Sequence, residues 1–163
     1  MKTIKSIFLL LVLAICSCGN TKSLSNDTAG VVDVAVEATK DAVAQGTVFY
    51  DITPEEAFEK AAAEGKMVLI DFYTKTCGPC KKMKKVVFST PECGEYVNKR
   101  FVPIMLDGED GGIGTELARK YDIQIFPSYL VLLPDGFREG IVMGAEYEVN
   151  KFLGMLKLIL HEL

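Results

Sequence analysis

Two cysteines, Cys77 and Cys80, enclose Gly78 and Pro79 in the run Cys-Gly-Pro-Cys. An apolar, β-prone stretch (67–73) ends just before them, and the residues after them carry a helical pattern. Two thiols with this spacing at a helix start can form and break a disulfide when βαβ elements surround them. Unpaired N–H groups at the helix start favour a thiolate and lower its pKa, so we expect Cys77 to be the attacking nucleophile. Cys80, one turn further into the helix, is expected to be the shielded thiol that resolves a mixed disulfide.

The residue types in the chain argue against a hydrolase site and against a metal site. His161 is the only histidine, which excludes Cys–His and Ser–His–Asp hydrolase sites. One Cys-x-x-Cys without a second ligand pair is an incomplete zinc site, and the acidic loop 107–114 lacks the spacing of a calcium-binding EF-hand. We therefore expect no metal. The net charge of −4 and the absence of a long basic block also argue against nucleic acid as a partner.

One carboxylate, Asp71, lies inside the apolar strand, six residues before Cys77. An unpaired carboxylate buried there has a raised pKa. The alternative is an aspartate at a strand end, in contact with solvent. Four lysines follow the cysteine pair, either as a solvated helix face or as a positive field that favours the thiolate: Lys81, Lys82, Lys84 and Lys85.

The N-terminus has the features of an export signal. Lys2 and Lys5 precede an apolar run (7–15) that is too short to span a bilayer as a helix. The residues that follow resemble a bacterial lipoprotein signal, in which a small residue precedes a lipidated cysteine. Cys18 follows Ser17 and is the preferred lipidation site, Cys16 is the second choice, and a plain cleaved secretory signal is the alternative. All three place the domain outside the cytoplasm, where disulfides persist.

Three regions are therefore predicted: a lipoprotein signal peptide (1–18), a flexible tether (19–46) and a folded domain (47–163). The tether is rich in small and polar residues. Within the domain, hydrophobic periodicity and turn residues predict the order β-α-β-α-β-α-β-β-α. The predicted strands are 47–50, 67–72, 101–106, 128–133 and 138–143. The helices start at Thr53, which forms a capping box with Glu56, after the cysteine pair, at 115, and before Phe152. The helix after the cysteines has a kink or a break near Ser89, where Thr90-Pro91 has the pattern of a second helix start. Pro103 indicates a bulge or an edge strand.

Residues 47–163 resemble the thioredoxin fold. The resemblance depends on four features in order: Asp71, the Cys-Gly-Pro-Cys run, Phe126-Pro127 just before a strand, and the turn 134–136. It implies an α/β fold with a central mixed sheet of four to five strands flanked by helices. The runs 88–92 and 101–103 are most similar to a secreted branch that includes the C-terminal domain of DsbD.

The resemblance also implies roles for individual residues. Asp71 would relay a proton to and from Cys80. Pro127, with a cis bond to Phe126, would lie beside the cysteines, where the backbone pairs with substrate. Tyr73 and Phe126 would offer apolar surface to a substrate, and a simple core role is the alternative for Tyr73. Thr76 stands where thioredoxins often carry Trp, which affects the range of partners. Cys93 is an extra thiol, either a buried small hydrophobe or a third redox group.

The function predicted on this basis is an extracytoplasmic, membrane-anchored thiol–disulfide oxidoreductase that reduces protein disulfides, in the periplasm if the cell is Gram-negative. The redox-active Cys77–Cys80 disulfide is the only redox group required, so no cofactor is expected. Electrons would come from a membrane donor of the DsbD or CcdA type, and the protein is assumed to be a monomer. An oxidase or isomerase, and a non-catalytic binding protein with this fold, remain as alternatives.

Overall fold

A computed structural model describes residues 45–162. The predicted signal peptide, both candidate lipidation sites and the tether up to residue 44 lie outside this range. The described chain contains five helices and four strands: α1 Pro54–Glu64, β1 Met67–Tyr73, α2 Gly78–Val86, α3 Pro91–Arg100, β2 Phe101–Asp107, α4 Ile113–Lys120, β3 Ser128–Leu132, β4 Arg138–Met143 and α5 Val149–Ile159. No helix within this range is both long and apolar enough to cross a membrane.

The four strands form one mixed sheet in the order β2-β1-β3-β4. β1 pairs with β2 in parallel and with β3 antiparallel, and β3 and β4 form an antiparallel hairpin. β1 is therefore central, with five consecutive buried residues from Val68 to Phe72, as its near-continuous apolar sequence predicts. The expected mixed α/β sheet is confirmed.

Helices cover both faces of the sheet and bury two separate clusters of apolar side chains. One face of β1, which carries Leu69, packs against α2, α3 and α5. The opposite face, with Val68 and Ile70, packs against α1 and α4. Successive strand residues alternate between faces, so Asp71 lies on the same face as Leu69, beneath α2.

The strand predicted at 47–50 is wrong. This segment forms only one bridge, between Tyr50 and Ile104. The Tyr50 N–H donates to the Pro103 carbonyl (2.8 Å), but Pro103 has no N–H to return, so a ladder cannot extend along the outer edge of β2. The preceding N–H groups bond elsewhere, that of Thr47 to the Phe88 carbonyl and that of Val48 to the Asn98 side chain.

The remaining boundaries follow local chemistry. β2 is an edge strand, as Pro103 predicts. The helix after the cysteines breaks rather than kinks, because Thr90 caps a new helix that starts at Pro91. Thr53 and Glu56 form the predicted capping box of α1.

Candidate active site

The cysteine pair begins α2 at the carboxyl end of β1. The two residues form a disulfide, with Cα atoms 5.4 Å apart. Cys77 is the N-cap, and its Sγ accepts a hydrogen bond from the Cys80 N–H at 3.1 Å. Cys77 is half-buried, whereas Cys80 is only 7% exposed. The two residues thus differ in exposure in the direction that the predicted attacking and resolving roles require.

The loop that carries Cys77 is ordered by its own backbone. The Cys77 N–H donates to the Thr74 carbonyl at 3.1 Å, and Thr74 is buried. The other predicted loop residues, Thr76, Gly78 and Pro79, are exposed. Thr76, immediately before Cys77, thus exposes a small hydroxyl side chain in place of a bulky aromatic.

Asp71 is a buried carboxylate, 3% exposed, so the alternative of a strand-end residue in solvent is wrong. Burial raises the pKa of Asp71 to about 7, and the charge of Lys84 partly opposes this shift. Its Oδ1 has no hydrogen-bond partner among the described residues. Asp71 can therefore gain or lose a proton near neutral pH, as a general acid–base requires. Its role in a reaction stays a prediction.

The neighbours of Asp71 in the sheet are Met105 on β2 and Tyr129 on β3. Tyr129 is fully buried, and its hydroxyl also lacks a partner in the described part of the chain. Burial and the nearby Asp71 both raise the pKa of Tyr129. Sequence reasoning did not identify this second polar group, because a tyrosine in an apolar strand has the pattern of a core residue.

The Phe126–Pro127 peptide bond is cis, as predicted. Pro127 directly precedes β3, whose first residue Ser128 pairs with Phe72, so the cis bond lies at the same end of the sheet as the cysteine loop. The Pro127 carbonyl accepts a hydrogen bond from the Gly144 N–H at 2.8 Å. Phe126 packs against Gly108, where a Cβ atom would collide with the aromatic ring. Phe126 and Tyr73 are both half-buried, and contact with substrate stays a prediction for each.

Exposed apolar side chains near the cis bond were not foreseen. Ile125 is 53% exposed, and Met143, the β4 partner of Ser128, is 63% exposed. Tyr147 lies under the ammonium group of Lys82, 3.9 Å from the ring centroid, and so connects this side of the molecule to α2. Their exposure could not be predicted, because apolar residues in strands and adjoining loops usually belong to the core.

The four lysines of α2 are all exposed, which confirms a solvated helix face. No carboxylate within 4.0 Å pairs with any of them in the range 45–162. The charge of Lys84 acts on Asp71, where it opposes the rise in pKa. A positive field that favours the Cys77 thiolate stays a prediction.

The fifth cysteine of the chain, Cys93, is fully buried in α3. Burial raises its pKa to about 11, and the Thr47 hydroxyl donates a weak bond to its sulfur at 3.5 Å. The expectation of a buried small hydrophobe is confirmed.

The acidic loop is built around Asp110. Its carboxylate accepts hydrogen bonds from the N–H groups of Gly112 (2.7 Å) and Thr115 (3.1 Å) at the start of α4. These bonds lower the pKa of Asp110. Within residues 45–162, no group of three His, Cys, Asp or Glu side chains is placed to hold a metal ion.

Comparison with known proteins places this geometry in a family. Residues 54–159 match the family model described as a thioredoxin-like domain, which is more than half of the chain. DsbD, a thiol:disulfide interchange protein of Pseudomonas fluorescens, is 36% identical over 101 residues, which are 60% of this chain and 17% of that protein. An H-type thioredoxin of Oryza sativa is 35% identical over 86 residues, 53% of this chain and 64% of that protein. The chain thus spans less than two thirds of these curated relatives.

Comparison with solved structures indicates the same fold. A candidate disulphide-isomerase from Bacteroides thetaiotaomicron superposes with a TM-score of 0.65 at 33% identity, covering 73% of this chain and 97% of that one. A Thermus thermophilus thioredoxin gives 0.62 at 29% identity, with coverage of 71% and 88%. The reduced C-terminal domain of Neisseria meningitidis DsbD gives 0.53 at 26% identity, with coverage of 64% and 91%.

Proposed function

Because the chain belongs to the thioredoxin-like domain family, we propose that it is a thiol–disulfide oxidoreductase that reduces disulfide bonds in protein substrates. One observation carries this proposal. A disulfide joins the half-buried Cys77 to the buried Cys80 at the start of α2, and a carboxylate with a pKa near neutrality lies beneath the same helix.

The reaction follows from the positions of these groups. The Cys77 thiolate attacks one sulfur of the substrate disulfide, a mixed disulfide forms, and the other substrate sulfur leaves as a thiolate that takes up a proton. Cys80 then loses its proton to the Asp71 carboxylate and attacks the Cys77 sulfur. The second substrate sulfur leaves and is protonated. Two electrons pass from the two cysteines to the substrate, whose thiolates take up one proton from water and one released by Asp71. The protein ends with the Cys77–Cys80 disulfide and an ionised Asp71.

Local groups assist each step. The Cys80 N–H, which donates to the Cys77 sulfur at 3.1 Å, would stabilise the thiolate in the reduced protein, and the helix dipole adds to this effect. Burial raises the pKa of Asp71 to about 7, so it can accept the Cys80 proton and return it in the reverse direction.

The direction we propose is reduction. The Gly78-Pro79 dipeptide matches that of thioredoxins, whose potential of about −270 mV is that of a reductant. The oxidase or isomerase is the second candidate, and the similarity to a candidate disulphide-isomerase keeps it in view. A non-catalytic binding protein with this fold is the third candidate, and both intact cysteines and Asp71 argue against it.

We also propose that the domain works outside the cytoplasm, anchored to a membrane through a lipid on Cys18, with Cys16 as the second choice. The support comes from the sequence pattern of residues 1–18 and from the similarity to DsbD. Mass spectrometry of the mature protein should show a lipid on the new N-terminal cysteine, and an unmodified N-terminus would contradict the anchor.

An extracytoplasmic reductant needs a supply of electrons, because its surroundings are oxidising. We propose a membrane donor of the DsbD or CcdA type, whose own dithiol reduces the Cys77–Cys80 disulfide.

The Cys80→Ser variant should stall as a mixed disulfide with the substrate and identify it directly. Cys77→Ser is the matched control, and equal capture by both variants would contradict the assigned roles.

The direct test of the activity is reduction of insulin disulfides with dithiothreitol as the electron source, combined with a measured reduction potential. We expect catalysed reduction and a potential nearer to about −270 mV than to about −120 mV. A potential near the second value would favour the oxidase, and no catalysis in either direction would favour the binding protein.

A further inference from the structure

A pocket of about 220 Å³ opens beside Cys80. Its walls come from the end of β1 with Tyr73, from α2, and from β2 with Met105. The pocket is lined by neither Phe126 nor Pro127. It is therefore separate from the surface that the cis-proline loop offers to a substrate.

Three lysines line this pocket, namely Lys75, Lys81 and Lys84, and no carboxylate does. Lys75 is 84% exposed and reaches Asp107 only at 4.0 Å, while Lys81 and Lys84 have no ion-pair partner within the described chain. The full chain carries a net charge of −4. The pocket is thus a local concentration of positive charge on an acidic protein.

The rest of the lining limits the ligand further. Tyr73 and Met105 are half-buried and supply apolar wall, so the pocket suits a group with a short methylene stem and a carboxylate end. Lysine ammonium groups bind such an end as rotatable point charges. Cys80 borders the pocket, which places a ligand there within reach of the disulfide.

We propose that this lysine-lined pocket selects protein substrates by receiving an Asp or Glu side chain that lies within a few residues of the substrate disulfide. The proposal rests on the proposed function and specifies its substrate class. A carboxylate held beside Cys80 orients the substrate disulfide towards Cys77, and the positive charge speeds the encounter with acidic partners.

The test compares two cyclic disulfide peptides that differ only in Glu or Gln beside one cysteine. Their reduction by dithiothreitol alone corrects for intrinsic reactivity. At low ionic strength we expect the corrected kcat/KM for the Glu peptide to exceed that for the Gln peptide by about threefold to tenfold, since exposed ion pairs contribute modestly. The preference should shrink as salt is added.

Variants locate the effect. Lys75→Gln combined with Lys81→Gln should remove most of the preference for the Glu peptide, and Lys75→Glu with Lys81→Glu should reverse it. Lys84 is left intact because its charge acts on Asp71. Lys85→Gln is the matched control, since Lys85 is an exposed lysine of α2 that does not line the pocket. It should retain the preference.

Two results would overturn the inference: equal corrected rates for both peptides, or an equal loss of preference in Lys85→Gln, which would indicate only a diffuse field. Both leave the proposed function intact, because both peptides are still reduced. If the wild-type protein reduces neither peptide, the proposed function fails, and the substrate class fails with it.

Discussion

The first turns of α2 and α3 share the same arrangement of residue types but differ in the chemical group of the cap residue. Each begins with a cap residue, contains a proline in its first turn, and has a cysteine three residues after the cap. The Cys80 N–H donates to the Cys77 sulfur at 3.1 Å, and the Cys93 N–H donates to the Thr90 hydroxyl at 3.3 Å. The cap is thus a thiol in one helix and a hydroxyl in the other.

The difference teaches what makes a thiol reactive here. Both helices offer N–H groups and a favourable dipole, yet burial raises the pKa of Cys93 to about 11. Desolvation therefore outweighs the helix start at that site. Cys77 occupies the cap itself, where its sulfur accepts the Cys80 N–H and keeps contact with solvent. We therefore expect the helix start to favour the Cys77 thiolate in the reduced protein.

The largest expected effect comes from making α2 start as α3 does. Cys77→Ser replaces the thiol cap by a hydroxyl cap, so disulfide reduction should fall by at least about 1000-fold, to background. Stability to urea should match that of the reduced wild-type protein within about 1 kcal/mol, because serine is a good cap. Cys93→Ala, the control in α3, should retain turnover. Residual activity in Cys77→Ser would contradict the assignment.

Asp71 is the only buried carboxylate among residues 45–162, and it lies beneath α2 rather than α3. Its titration gives the next largest effect. A buried acid whose pKa is raised to about 7 favours the folded state when protonated. The oxidised wild-type protein should therefore lose stability as pH rises from about 4 to 7, by up to about 4 kcal/mol at 1.36 kcal/mol per pKa unit.

Asp71→Asn should abolish this loss, as measured by urea unfolding across that pH range. Asp51→Asn, at an exposed carboxylate, is the matched control and should keep the wild-type profile. Identical profiles for Asp71→Asn and the wild type would mean that Asp71 titrates normally.

A smaller effect is expected at the cap of α3. Thr90→Ala removes the hydroxyl that accepts from the Cys93 N–H and should cost about 1 kcal/mol of unfolding free energy. Thr90→Ser keeps the hydroxyl and should restore most of it. Disulfide reduction should be unchanged in both, since this helix start only supports the fold. A loss of activity at full stability would contradict the contrast between the helices.

Much of this arrangement was predictable from the sequence. The cysteine pair, Asp71 within an apolar strand and the cap residues Thr53 and Thr90 are local signals, and the structure places each where its pattern indicates. The break after α2 follows from Thr90-Pro91 by the same logic. Helix starts and caps can be predicted from the sequence because residues close together in the chain determine them.

Long-range features were not predictable. The segment 47–50 has strand-like residues, but Pro103 on the facing strand lacks the N–H group that a ladder of hydrogen bonds would need. The pairing of Tyr129 with Asp71 and the pocket beside Cys80 depend on which strands become neighbours in the sheet. Hydrophobic periodicity within one segment does not indicate which distant segments it will contact.

We infer that Cys77 is the reactive thiol because it lies at the cap of α2. The most direct measurement is the rate of alkylation of each cysteine in the reduced native protein as a function of pH, followed by mass spectrometry. We predict that Cys77 is labelled first, with a pKa below the ordinary value of cysteine, while Cys93 stays unlabelled until the protein unfolds. Labelling of Cys93 as fast as Cys77, or a pKa of Cys77 at or above the ordinary value, would contradict the account.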